Sequence, residues 1–111
     1  MSAPAPFSTQ LRATRRPITL GAPDAPGAIT IRVESAELWD AVRVIARPEA
    51  RVSELKESVL AELYPKHEYA ADYVLKFRGW EILDEQVPLS AAGITDGSIL
   101  LVAYRRRRPV R

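Results

Sequence analysis

The chain is predicted to fold as one α+β domain, a mixed sheet of four to five strands with one helix packed on one face. Three observations predict it. Residues 29–34 alternate strictly between apolar and polar, the period of a half-buried strand. Val52, Leu55, Val59 and Leu63 recur at i, i+3, i+7 and i+11, the stripe of an amphipathic helix. Ile99 to Ala103 carries no charge, which suits a central strand covered on one side. A length of 111 residues leaves room for one domain of ordinary size.

Residues 1–28 hold five prolines (Pro4, Pro6, Pro17, Pro23, Pro26) and no sustained period, so they read as a disordered basic arm. The domain is expected to run from 29 to 104, with 105–111 a basic tail. Ile29, Ile31 and Val33 share one face of the first strand, opposite Thr30, Arg32 and Glu34. After a polar break, Val42, Val44 and Ala46 alternate with Arg43, Ile45 and Arg47, and Pro48 ends the hairpin by removing a ladder donor. The helix stripe follows, with Glu54, Lys56, Glu57 and Glu62 elsewhere round the cylinder, and Pro65 stops it. No Ser, Thr, Asp or Asn precedes Val52, so its first turn needs another cap. Residues 66–72 read as a polar connection, Tyr73 to Phe77 as a strand ended by Gly79, and Trp80 to Leu83 as its short partner. Pro88 to Ala92 fits a tight helical turn, and Asp96-Gly97 signals a turn into the last strand.

That order, and the residues that carry it, resemble the ubiquitin superfamily, the β-grasp fold. The pieces are the hairpin ending at Pro48, the phrase Val52-Ser53-Glu54-Leu55-Lys56, Leu75-Lys76-Phe77-Arg78-Gly79, and the run from Leu89 through Gly93-Ile94 to Asp96-Gly97 and Leu100. The resemblance covers about 75 residues and implies that Leu89 and Ile94 plug the open end of the core. Covalent modifiers of this superfamily need a C-terminal Gly-Gly, and no glycine follows Gly97, so a covalent modifier is the weaker expectation. Thirteen Arg against three Lys is a bias of GC-rich genomes. A bacterial ubiquitin-like protein without Gly-Gly is therefore expected, similar to accessory subunits of type VII secretion loci.

No cysteine is present, which removes thiol nucleophiles, iron-sulfur ligands and zinc-thiolate sites, and the single histidine, His67, reads as a solvated loop residue. The five glycines are scattered, so no phosphate-cradling loop forms, and no apolar run reaches the roughly 18 residues needed to span a bilayer. The expectation is a cytoplasmic, non-catalytic module for protein binding, without cofactor, metal or small-molecule substrate. Ubiquitin's apolar patch, carried over by position, falls on Lys76, Leu101 and Ala103, and the lysine would turn away receptors for eukaryotic ubiquitin. Trp80 reads equally as a contact anchor or as packing over the sheet edge. Trp39 is expected to pack or cover the first turn.

Charge is divided along the chain. The net of +2 combines basic ends with a middle segment, 29–104, of eight basic and thirteen acidic residues, a net of −5. Arg105, Arg106, Arg107 and Arg108 admit a solvated tail, a contact to an acidic protein or to this domain's own acidic face, or a contact to nucleic acid or anionic membrane. The alternative function is thus a nucleic-acid-binding or ribosome-associated protein acting through its basic ends.

Overall fold

The computed structural model describes residues 16–21 and 26–105. Expectations for residues 1–15, 22–25 and 106–111, including Arg106, Arg107 and Arg108, lie outside the described residues.

The elements are β1 (Ile18–Leu20), β2 (Ile29–Ser35), β3 (Ala41–Ala46), helix α1 (Val52–Leu63), a 3-10 turn (Ala70–Asp72), β4 (Tyr73–Phe77), β5 (Trp80–Glu81) and β6 (Ile99–Tyr104). The six strands form one sheet in the order β1-β3-β2-β6-β4-β5. The fold is α+β, with one sheet and one long helix. The central pair, β2 and β6, runs parallel, with Val33 opposite Leu100. The hairpin β2–β3 and the pairs β6–β4 and β4–β5 are antiparallel.

Alternation in the strands now has a physical meaning. Ile31, Val33, Val44, Leu75, Leu100 and Val102 point to the side where Val52, Leu55, Val59 and Leu60 of α1 meet them, and all are buried. Leu89 and Ile94 close the open end of this core, both buried. Burial of a side chain of this size stabilises by roughly 1.5 to 3 kcal/mol, and the twelve-residue helix is held mainly by this face. Its N-terminus has no side-chain cap. Instead the amides of Val52 and Ser53 donate to the carbonyls of Val87 and Glu85 at 3.0 and 2.8 Å, so a later loop caps the helix with backbone.

Three expectations need correcting. The sheet has six strands rather than four to five, because β1 lies within the stretch read as a disordered arm and pairs parallel with β3 from Ile18↔Val44 to Leu20↔Ala46. Between Pro17 and Gly21 only three residues alternate, too few to show a period among so many prolines. Lys56, assigned to the polar side of α1, is buried at 3% exposure, and its Nζ lies 2.8 Å from Glu85 Oε2. The ion pair makes that burial tolerable, since an unpaired ammonium there would be costly. Trp39 is 83% exposed rather than packed. It takes a left-handed φ of 55° in a turn closed by the Ser35 amide on the Asp40 carbonyl, and this aims the ring outward.

Candidate functional site

The expected contact residues divide between two surfaces. Lys76, Leu101 and Ala103 do come together, on the sheet face opposite α1. Lys76 stands across the ladder from Leu101 on one side and from Glu81 on the other, and Ala103 faces Val74. Ile99, 56% exposed, extends the apolar strip along β6. Charges flank it. Arg32 and Glu34 on β2 pair at 2.9 Å, and the Arg105 guanidinium reaches across β4 to Glu81, with contacts of 2.6 and 3.4 Å. Arg105 also donates its amide to the Asp72 carbonyl at 2.7 Å, so it continues β6 and engages the domain's own acidic side.

Trp80 lies on the other face. Its ladder partner is Phe77, whose ring packs against the core margin. The turn between them carries φ of 55° at Arg78 and 83° at Gly79, and only such left-handed angles return the chain in two residues. Glycine meets that demand freely; Arg78 lays its guanidinium over the Phe77 ring, 5.1 Å from the centroid. The result is an indole 80% exposed, and Leu83, three residues on, is 82% exposed.

Beside Trp80 lies an open groove of about 400 Å³. Phe77, Ile82, Val87 and Ala92 line it with apolar surface, and Arg78, Glu81 and Asp84 add charge. Its outer wall is the segment 82–88, fixed at several points. The Ile82 amide donates to the Leu75 carbonyl at 2.9 Å, Val87 and Glu85 receive the helix amides, and Glu85 holds Lys56. The Trp80 reading left open between anchor and packing resolves to an exposed ring on a rigid wall. The groove itself went unforeseen, because Ile82, Val87 and Ala92 meet only through the tertiary fold.

A polar chain braces the far end of the sheet. The Leu38 amide donates to Ser35 Oγ at 3.0 Å, and Ser35 donates to the Tyr64 hydroxyl at 2.6 Å. Tyr64 in turn donates to Glu37 Oε1 at 2.6 Å. The Tyr104 amide ends on the same carboxylate. Partial burial, then the bond to Glu37, pushes the Tyr64 hydroxyl up to about 12. Tyr73, packed at 4.6 Å from Tyr64 and 5.3 Å from Tyr104 between ring centroids, is also raised, first by burial and then by Tyr104. His67 is half-buried rather than solvated, its Nδ1 lying 2.7 Å from the Tyr64 carbonyl and its ring meeting Tyr73 at an edge.

This sheet order, with one helix on one face and a plugged end, defines the β-grasp class, and comparison with solved structures gives the same answer: the fold is ubiquitin-like. Ubiquitin from Caldiarchaeum subterraneum superposes with a TM-score of 0.61 at 19% identity, over 75% of this chain and 100% of its own. The ubiquitin-like domain of an Arabidopsis thaliana protein gives 0.62 at 20% identity, over 79% and 88%. ATBAG1, solved in complex with HSP70, gives 0.56 at 21% identity, over 68% of this chain and 40% of that one. No protein-family model and no curated protein sequence matches the chain.

Proposed function

We propose that the domain is a non-catalytic protein-interaction module that binds through the Trp80 groove. The observation that carries the reading is the pair of exposed large side chains, Trp80 and Leu83, beside a groove lined by Phe77, Ile82, Val87 and Ala92. Water meets that apolar surface unfavourably, and tryptophan anchors recur at the centres of protein interfaces. The sheet face is the weaker candidate, since Lys76 and two ion pairs interrupt its apolar strip. A relative of the same fold, ATBAG1, was solved in complex with HSP70, which is in keeping with a binding role.

Affinity capture from the native organism tests this, with the full chain as bait beside Trp80→Ala and Leu83→Ala. Both variants should keep the wild-type fold and lose the captured protein. If both retain it while Leu101→Asp loses it, the sheet face is the contact instead. If capture yields nucleic acid, released steeply by salt, the basic ends carry the function.

A further inference from the structure

The Trp80 groove carries both halves of a contact. Trp80 and Leu83 stand beside it, 80% and 82% exposed, while Phe77, Ile82, Val87 and Ala92 line a hollow of about 400 Å³. A hollow of that size has room for one indole. A knob next to a hole on one surface is the requirement of a self-complementary interface, because about a twofold axis each copy inserts its knob into the other's hole.

The rim charges have the same property. Arg78 lies in the turn before β5 and Asp84 beyond the end of that strand, and both line the groove. Arg78 rests its guanidinium on the Phe77 ring, and Asp84 Oδ1 accepts the Gln86 amide at 3.0 Å. Neither meets an opposite charge among the described residues, whereas the third rim charge, Glu81, is held by Arg105 at 2.6 Å. One open cation and one open anion on either side of β5 come opposite each other when two copies dock antiparallel. Resting on the groove as the contact surface, we propose that its occupant is a second copy of this chain, in a twofold dimer where each Trp80 enters the other's hollow and Arg78 of each copy pairs with Asp84 of the other.

The size of the contact sets its strength. A tryptophan buries about 150 to 250 Å², so two indoles, two Leu83 side chains and the surfaces beneath them bring the buried area to about 1,000 Å², the small end of specific interfaces. Contacts of that size dissociate at micromolar rather than nanomolar concentrations. The ion pairs fix register more than they add strength. A net charge of +2 for the whole chain keeps mutual repulsion low.

The test is sedimentation equilibrium of the full chain over a range that spans dissociation constants of about 1 to 500 μM. Wild type should pass from monomer to dimer, and Trp80→Ala should stay monomeric. Arg78→Asp alone opposes two carboxylates at each pairing, and Asp84→Arg alone opposes two guanidiniums, so each should weaken the dimer by about tenfold or more. Aspartate accepts the left-handed φ of 55° at position 78. Mixing the two single variants restores both pairs, so the mixture should form a one-to-one complex as tight as the wild-type dimer, and the double variant R78D/D84R should dimerise alone. A wild type that stays monomeric throughout overturns the proposal. So does a dimer that Trp80→Ala leaves intact, or a mixture that associates no better than either variant by itself. If the chain is monomeric while Trp80→Ala still abolishes capture of another protein, the dimer is refuted and the groove stands as the contact surface. If Trp80→Ala alters neither association nor capture, the groove reading falls with the dimer.

Discussion

Removing either partner of the Lys56–Glu85 pair should have unequal effects, and the inequality can be worked from the structure. At 2.8 Å the pair's gross attraction is about 6 kcal/mol for an effective dielectric near 20, and desolvation of the two ions offsets most of it. The net value is therefore small, and the cost of a substitution depends on what is left behind. The Lys56 side chain is 4% exposed and that of Glu85 26%. Glu85→Ala strands an ammonium away from water and should cost about 2 to 4 kcal/mol. Lys56→Met keeps the stem's apolar packing and leaves a carboxylate that can turn to solvent, so its cost should stay within about 1 kcal/mol. For a domain of this size each kcal/mol moves the melting temperature by roughly 4 to 8 °C, so thermal unfolding separates the two easily. Both variants cut the same side-chain tie between the groove wall and α1 and leave the backbone bond from the Ser53 amide to the Glu85 carbonyl, so their effects on binding at Trp80 should be alike. Equal losses of stability from the two variants would refute the reasoning.

Other outcomes are as definite. Leu55, fully buried between α1 and the sheet, should lose about 3 to 5 kcal/mol on Leu55→Ala through transfer and cavity together, read by urea unfolding. Trp80→Ala should change stability by less than about 0.5 kcal/mol, because the ring is mostly in water, even as partner binding falls. Tyr64 should make the domain alkali-sensitive. Its folded value of about 12 lies above the usual 10, so stability holds below pH 10 and falls as the pH rises towards 12, and Tyr64→Phe should flatten that part of the profile. Arg105→Ser should cost at most about 1 kcal/mol, since the Glu81 pair is partly exposed and the backbone bond to Asp72 survives.

The fold was legible where a period repeats several times. Ile29 to Glu34, the stripe through Leu55 and Val59, and the Leu89 to Leu100 run each carry enough residues to name an element and its buried side. Legibility failed where a position is set by distant chain. Lys56 looks like a solvated helix lysine until the loop carrying Glu85 folds over it, 29 residues later. Ile18–Leu20 is a strand only because β3 offers an edge. Trp39 and Trp80 are alike in composition terms, and their exposure depends on left-handed turn residues, Trp39 itself in one case and Arg78 in the other. The candidate site was half visible: Trp80 was singled out, but its groove is assembled from residues on three segments.

The pairing of β2 with β6 has a consequence for how the chain reaches this state. The two strands at the middle of the sheet are nearly the first and the last of the domain to leave the ribosome, with Arg32 opposite Ile99. Until residue 104 has emerged, β2 presents an open apolar edge, and the hairpin and helix have only part of their core to cover. Synthesis at about 5 to 20 residues per second leaves that edge bare for seconds, so newly made chains should depend on chaperone cover until the last strand inserts. Once complete, such long-range pairing places folding nearer milliseconds than microseconds.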